Sequence, residues 1–320
     1  MAAFVKKIPR SILIFGASGH IGRPLAEFLS KNAPSIQLSL ATSSPEKRNT
    51  LQSLFPKAHV VQANYMDVAS LTKALQGIEG VFVVTTGGID ERVAMSNLVT
   101  ALSGSKDIVH VVRMVGVFPE FAQQRVPKAL IPGGLPYEHP IAKSILDESG
   151  LPVTYLNCGA TFIDNLWLQM GPVLEKQTLI WPEHRVPFMD PRDIAEIAGK
   201  LLISDNAKHI GAFHTMNNGQ DWLTFKEVSV ILSEVLDQPV GYDGSYEGFA
   251  EAFGPKLGPA LDTLWAFFKF EELNEENWAL NGFSERILGR KPCTVREWII
   301  EHKEKLLQAP EKVQWAEKTT

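Results

Sequence analysis

Residues 11–23 read SILIFGASGHIGR, and this stretch decides the fold. The apolar run 11–15 predicts a buried strand, and the amphipathic residues from Ile21 onward predict a helix. Glycines at positions 16, 19 and 22 allow a tight turn, the approach of a pyrophosphate to bare backbone, and close packing of helix on strand. The order predicts a dinucleotide site facing the helix N-terminus, with a plain strand-helix turn as the alternative. We expect the cofactor contacts to be Gly16, Ser18, Gly19, His20, Ile21 and Gly22.

Short β-branched runs alternate with amphipathic stretches through the first 160 residues, as in βαβ units. Predicted strands cover residues 11–15, 37–41, 59–62, 81–85, 108–112 and 153–156. Predicted helices cover residues 21–30, 45–54, 68–76, 90–102 and 140–148. The pattern predicts an α/β Rossmann fold, a doubly wound parallel sheet that binds its ligand at the carboxyl ends of the strands.

Beyond residue 156 the alternation weakens and Trp, Phe, Pro and Gly become frequent, which predicts a second, smaller, mainly helical lobe. Segments 187–203 and 212–215 predict a strand, a helix and a strand that return to the first domain. Further helices are predicted at residues 225–236, 246–253, 256–268 and 295–306. We expect a dinucleotide-binding domain over 1–160 with 186–216, a substrate lobe over 161–185 and 217–320, and the substrate in a cleft between them.

Composition narrows the function classes. The 320 residues contain 31 Lys plus Arg and 36 Asp plus Glu, a net charge of −5, without a dense basic run, so we expect no nucleic-acid ligand. The two cysteines lack zinc-site spacing, and we expect no metal and a reducing compartment. There is no apolar leader or membrane-length apolar run, so we expect a cytoplasmic protein without membrane partners, either a monomer or a homodimer.

The end of the second strand indicates which dinucleotide is preferred. Residues 40–48 read LATSSPEKR, without an acid where one would bind the ribose hydroxyls of NAD. Thr42, Ser43, Lys47 and Arg48 offer donors and positive charge, which suits a 2′-phosphate and predicts NADP(H). The alternative for Lys47 and Arg48 is a solvated first helical turn.

Later strand ends supply further cofactor candidates. Asn64, with Tyr65, follows the third strand and could meet the adenine. Asp67 is predicted to cap the following helix. The residues that follow the fourth strand, and are candidates for the same reason, are Thr85, Thr86 and Gly87.

The sequence resembles the NmrA-like branch of the atypical short-chain dehydrogenases/reductases over nearly the whole chain. Besides the glycine turn, the matching segments are NYMDV (64–68), Lys143 followed by LPVTYL (151–156), Gly159 with Phe162 and Asn165, VPFMD (186–190) with DIA (193–195), and TVREW (294–298). The resemblance implies a Rossmann domain that holds NADP(H) beside a variable substrate lobe. We include Gly159 and Phe162 among the expected cofactor-binding residues.

The resemblance also implies where catalysis takes place. The wider superfamily uses a Ser or Thr after strand five and a Tyr-x-x-x-Lys pair, whose Lys holds the nicotinamide ribose and lowers the Tyr pKa. Here Arg113 and Met114 stand near the hydroxyl position, and His139 stands four residues before Lys143. The usual proton donor is missing.

Four residues are therefore the catalytic candidates. Lys143 is the expected ribose contact, with a surface lysine as the alternative. His139 is a candidate general acid or a helix cap, and Tyr137 could donate a proton if its loop folds inward. Arg113 could orient an anionic or carbonyl group, or form an ion pair at a strand end.

Residues of the second lobe could form an aromatic wall for a large, planar substrate, although aromatics at helical spacing are usually core. The acidic residues at 271, 272, 275 and 276 are predicted to form a solvated face, one of which could reach the cleft. The aromatic residues in question are Phe162, Trp167, Trp181, Trp265, Phe267 and Phe268.

The preferred function is an NADPH-dependent reductase of a bulky hydrophobic carbonyl or imine/iminium compound. An iminium carbon accepts hydride without a strong acid, so the missing Tyr matters less for C=N than for C=O. Since the resemblance includes natural-product enzymes, a role in secondary metabolism, with alkaloids as one case, is expected. The alternatives are an NADP(H)-sensing regulator without turnover and a cofactor-retaining cyclase or isomerase.

Overall fold

A computed structural model describes residues 5–105, 107–117 and 138–308, which form two compact units. In the described part of the chain, the first unit comprises residues 5–105, 107–117, 138–158 and 191–216. The second unit comprises residues 159–190 and 217–308. The assignment of the units to cofactor and substrate stays a prediction. Within the described residues, no helix is both long enough and apolar enough to span a membrane.

The strands are, in chain order, β1 (Ser11–Ile14), β2 (Gln37–Thr42), β3 (His59–Gln62), β4 (Gly80–Val83), β5 (His110–Val115), β6 (Val153–Cys158), β7 (Thr161–Phe162), β8 (Thr178–Ile180), β9 (Arg185–Met189), β10 (Phe213–Met216), β11 (Trp222–Thr224) and β12 (Gly241–Asp243). The α-helices are α1 (Gly22–Asn32), α2 (Pro45–Leu54), α3 (Val68–Ala74), α4 (Glu91–Ser103), α5 (His139–Glu148), α6 (Leu166–Lys176), α7 (Pro191–Ile203), α8 (Phe225–Leu236), α9 (Tyr246–Leu257), α10 (Leu261–Glu272), α11 (Phe283–Leu288) and α12 (Val295–Leu306).

The first unit is built on a seven-stranded sheet of order β10-β6-β5-β4-β1-β2-β3, in which every neighbouring pair is parallel. The central strands β1, β4 and β5 are buried along their whole length, as expected for a parallel sheet covered by helices on both faces. The chain winds outward from β1 through β2 to β3, and then crosses to β4 on the other side of β1. The predicted doubly wound Rossmann sheet is confirmed.

Among its described residues, the second unit holds two small sheets, of order β11-β9-β7 and β12-β8, together with helices α6 and α8 to α12. Its β9 pairs with β11 and β7. The sequence predicts that residues 186–216 return to the first domain as one segment, whereas in the structure the return begins with α7 at Pro191. The reason is that backbone partners on both sides of β9 satisfy its hydrogen bonds inside the second unit.

The predicted helix over 256–268 is wrong at its start. Helix α9 continues to Leu257, and α10 begins only at Leu261. Gly258 adopts a positive φ of 51°, and Pro259 has no N–H to donate. Together they end one helix and begin another.

Candidate functional site

The candidate site of the first unit lies at the carboxyl edge of its sheet. Strand β1 has β2 on one side and β4 on the other, so the chain reverses its winding direction there. In doubly wound sheets, ligands bind where the strand order reverses in this way.

The glycine turn after β1 is closed so tightly that side chains would not fit. Gly16 has a φ of +66°, and a Cβ on it would lie 2.6 Å from Val84 Cγ1. A Cβ on Gly22 would lie 2.2 Å from the carbonyl oxygen of Gly16. The Gly19 N–H donates to that same oxygen at 2.9 Å. The turn therefore presents bare backbone directly before α1, with residues 18–20 exposed and Ile21 buried.

The end of β2 places polar and basic residues on the neighbouring strand. Thr42 is buried, and its hydroxyl bonds to the backbone of Ser44, accepting from the N–H at 3.1 Å and donating to the carbonyl at 3.2 Å. Ser44 caps α2 by accepting from the Lys47 N–H at 3.3 Å. Ser43 and Arg48 are exposed, and Lys47 is half-buried. The side chain of Thr42 thus shapes the turn, while its neighbours face solvent at the start of α2.

The segment after β3 contacts the same carboxyl edge of the sheet. Asn64 accepts from the Met66 N–H at 2.9 Å, and the carboxylate of Asp67 accepts from two N–H groups at the start of α3, which confirms the predicted cap. Tyr65 stacks on Phe15 with ring centroids 4.7 Å apart and donates its hydroxyl hydrogen to the Val84 carbonyl at 3.1 Å. Burial raises the pKa of Tyr65. This tyrosine therefore joins the ends of β1, β3 and β4, a structural role that the sequence did not indicate.

A buried charged network connects the ends of β4 and β5. Arg113 Nη2 lies 2.8 Å from Glu91 Oε1 and 3.0 Å from the Thr85 hydroxyl, which donates its hydrogen to the same carboxylate oxygen. The side chain of Arg113 is 0% exposed and that of Glu91 3%. Sequence reasoning missed Glu91, whose one signal is an acid in the first turn of a helix that follows β4. Arg113 forms an ion pair here and does not reach solvent.

His139 meets this network at the start of α5. Its Nδ1 accepts from the Gly116 N–H at 2.7 Å, and its Nε2 lies 3.6 Å from Glu91 Oε1. Burial, and secondarily the charge of Arg113, lower the pKa of His139 to about 3. The imidazole is therefore neutral at physiological pH, which suits it poorly for the predicted role of general acid.

Lys143 lies one turn further along α5, about 6 Å from His139 along the helix axis. Its Nζ pairs with Asp147 at 2.5 Å and sits 4.9 Å from the centroid of the Tyr155 ring. The Tyr155 hydroxyl donates to the same carboxylate at 2.8 Å. The structure therefore shows Lys143 in an ion pair, and its ribose contact stays a prediction.

The remaining site candidates are distributed over the chain. Thr86 and Gly87 are exposed at the end of β4, beside the glycine turn. Tyr137 lies outside the described residues. Gly159 and Phe162 belong to the second unit, where β7 pairs Phe162 with Met189. The first unit thus brings most candidates to one edge of its sheet.

The second unit contains a buried polar pair within an aromatic core. His184 Nε2 lies 3.6 Å from Glu271 Oε2, and the imidazole stacks on Phe268. Burial raises the pKa of Glu271 to about 8 and lowers that of His184 to about 4. Glu271 is buried, not part of the solvated face that we expected, because it lies on the inward side of α10. Trp181 packs against four Phe rings, so it is core in this unit.

The comparison with protein families agrees with this geometry. Residues 16–165 match the model of a family described as NAD(P)H-binding. This segment begins at the first glycine of the turn and covers the sheet from the end of β1 to β6. The match confirms the predicted nicotinamide-dinucleotide cofactor.

Three known proteins illustrate the resemblance. A (4-alkanoyl-5-oxo-2,5-dihydrofuran-3-yl)methyl phosphate reductase from Streptomyces griseus subsp. griseus is 28% identical over 72% of this chain and 76% of its own length. The NADPH complex of the NADPH-dependent quinone oxidoreductase QOR2 from Escherichia coli superposes with a TM-score of 0.76 at 23% identity, over 91% of this chain and 99% of the other. NmrA, a negative transcriptional regulator in complex with NADP, gives 0.70 at 15% identity, over 93% and 97%. The two solved structures show that this chain shares their fold, and the likeness to the NmrA fold agrees with the predicted resemblance.

Proposed function

We propose that the protein is an NADPH-dependent reductase. The observation that carries the proposal is the glycine turn, where Cβ atoms on Gly16 and Gly22 would collide with their neighbours. A backbone cradle of this kind, directly before a helix N-terminus, fits the pyrophosphate of a dinucleotide. Bound NADPH supplies the hydride.

The preference for the phosphorylated cofactor rests on the end of β2. Ser43 and Arg48 are exposed there, and Lys47 is half-buried on the first turn of α2. Hydroxyl, guanidinium and ammonium groups recognise a 2′-phosphate, which an acid at this position would repel. Lys143 would hold the nicotinamide ribose by exchanging Asp147 for the ribose hydroxyls.

The substrate class follows from what the edge offers for proton transfer. His139 is neutral, with its Nδ1 lone pair occupied by the Gly116 N–H, and the hydroxyl hydrogen of Thr85 is held by Glu91. These groups favour an acceptor that needs no strong acid to take up hydride. Such an acceptor is a bulky hydrophobic imine or iminium compound, or a carbonyl compound in which the negative charge left on oxygen by hydride transfer is delocalised. The relatives named reductase and quinone oxidoreductase support hydride transfer, and the choice of acceptor rests on the proton-transfer groups alone. A role in secondary metabolism, with alkaloids as one case, remains part of the proposal.

NADPH absorbance tests the proposal with a panel of three acceptors: menadione, an aromatic ketone and a dihydroisoquinolinium salt. We expect absorbance to fall with at least one of them, and the product mass to increase by the hydride and any proton taken up. The Gly22→Ala variant is the control for non-enzymatic reduction. Tight NADPH binding without turnover over a broad panel would contradict the reductase.

A dinucleotide-sensing regulator is the second candidate, and one observation favours it. At the positions where the superfamily has its hydroxyl and Tyr, this chain has the buried Arg113 and the neutral His139. A sensor needs no proton donor. It would bind a protein partner with different affinities in the NADP+ and NADPH states, and equal affinities would exclude this function.

A further inference from the structure

Glu91 is a buried acid that the proposed cofactor contacts do not use. Its Oε1 accepts hydrogen bonds from the Arg113 guanidinium, at 2.8 Å, and from the Thr85 hydroxyl. The same oxygen lies 3.6 Å from His139 Nε2. Its backbone N–H donates to Glu138 Oε2 at 3.2 Å. A single carboxylate oxygen is thus shared by residues from β5, the end of β4 and the start of α5.

The neighbours of His139 determine which of its two ring nitrogens carries the hydrogen. A backbone N–H can only donate, so Nδ1 of His139 must accept from Gly116 and the ring hydrogen of the neutral imidazole is on Nε2. That nitrogen faces the Glu91 carboxylate. The ring therefore accepts from an amide at the end of β5 and turns its Nε2–H toward the Glu91 carboxylate, 3.6 Å away at the start of α4.

We propose that Glu91 is a positioning residue of the reductase: it faces the Nε2–H that the Gly116 amide imposes on His139, and by binding Arg113 and Thr85 beside this ring it fixes the ends of β4 and β5. This inference rests on the proposed function, because the ends of β4 and β5 are where a doubly wound sheet would present the nicotinamide. Because its side chain is 3% exposed, Glu91 would act through these neighbours and not by contact with cofactor or substrate. Removing it is expected to disturb hydride transfer more than cofactor affinity.

The charges around His139 keep it neutral. The charged groups that face it are Glu91 from α4 and Arg113 from β5, and these two oppose each other. Burial then favours the uncharged ring. A neutral ring with one fixed tautomer is a rigid connector, and its state does not change across the physiological pH range.

The first test is a tautomer measurement on the full chain, labelled with nitrogen-15 in its eight histidines and assigned with a His139→Gln variant. We expect long-range proton–nitrogen spectra to show one neutral Nε2–H form of His139 throughout the range in which ordinary histidines titrate, about pH 5 to 8. An Nδ1–H tautomer, or titration near the ordinary histidine value, would overturn the proposal.

The second test uses the double variant Glu91→Gln with Arg113→Met, because removing both charges leaves no unpaired buried ion. We expect the Nε2 chemical shift of His139 to change because the carboxylate has gone, NADPH affinity within about threefold of wild type, and kcat for the acceptor reduced by about tenfold to hundredfold. The exposed pair Lys176 and Glu251, changed to Met and Gln, is the matched control with unchanged kcat.

An unchanged kcat in the double variant would contradict the positioning role, and so would an unchanged Nε2 chemical shift of His139. If wild type fails to bind NADPH or to reduce any acceptor, the proposed function fails. The Nε2 chemical shifts of His139 in wild type and double variant still decide whether Glu91 acts on the His139 ring, so the two failures are distinguishable.

Discussion

The guanidinium of Arg113 lies 2.8 Å from the Glu91 carboxylate, and both side chains are shielded from solvent. In the short-chain dehydrogenases/reductases that the sequence resembles, this region of strand five carries a catalytic hydroxyl. Here it carries a buried ion pair that joins β5 to the first turn of α4. The conformation of this sheet edge therefore depends on a contact between two residues that are 22 positions apart in the sequence.

Breaking this ion pair is expected to destabilise the fold. Arg113→Met leaves the Glu91 carboxylate buried without its partner, which costs about 3–5 kcal/mol in the free energy of unfolding. Urea denaturation measures this loss in the free energy of unfolding. The double variant with Glu91→Gln should recover most of the loss, and Lys176→Met, which breaks an exposed pair, should cost less than about 1 kcal/mol. Equal losses in the single and double variants would show that side-chain packing, not charge, dominates.

The third glycine of the turn is expected to be required for cofactor binding. In Gly22→Ala the new methyl group would lie 2.2 Å from the Gly16 carbonyl oxygen, so the turn must open. We expect at least about a tenfold loss of NADPH affinity, equivalent to about 1.4 kcal/mol. Gly104→Ala is the control, since its Cβ would have its nearest neighbour at 3.5 Å. Fluorescence titration measures the NADPH affinities. Similar affinities for the two variants would contradict binding of the pyrophosphate by the glycine turn.

Arg48 is expected to select for the phosphorylated cofactor. It is exposed on the first turn of α2, beside the end of β2. A charge-assisted hydrogen bond contributes about 1.5–3 kcal/mol, so Arg48→Ala should weaken NADPH binding about tenfold to hundredfold while NADH binding changes little. Lys73→Ala, at the far end of α3, is the matched charge control. Parallel losses for NADPH and NADH would refute the selectivity.

Glu271 is expected to make stability depend on pH. Burial raises its pKa to about 8 in the folded protein, above its ordinary value of 4.5. Between these two pH values the folded state binds the proton and the unfolded state has lost it, so the free energy of unfolding falls as pH rises. The slope is at most about 1.4 kcal/mol per pH unit. Denaturation of wild type and Glu271→Gln across this range should give converging curves towards pH 4.5, and parallel curves would contradict the assignment.

The fold could be predicted from the sequence because its signals are local. Strand β3 and helices α2, α8 and α12 have the predicted bounds, since their apolar periodicity is set by burial on one or both faces. The glycine turn could be predicted from three glycines at a fixed spacing. The boundary at Gly258 was missed because the helical pattern continues across the break.

The site was less predictable because its contacts are not local. Nothing near Glu91 in the sequence indicates that Arg113 will be its partner, and the tautomer of His139 depends on a backbone amide 23 residues away. Glu271 belongs to an acidic run that is typical of a solvated helix face. Its burial depends on how α10 packs, which no local pattern encodes.

Isothermal titration calorimetry of the folded full chain with NADPH, NADP+ and NADH is the most direct test of the central claim. Binding of both phosphorylated dinucleotides, tighter than that of NADH and abolished or strongly weakened by Gly22→Ala, is the predicted result. A folded chain that produces no binding heat with NADPH or NADP+, at several temperatures, would contradict the account.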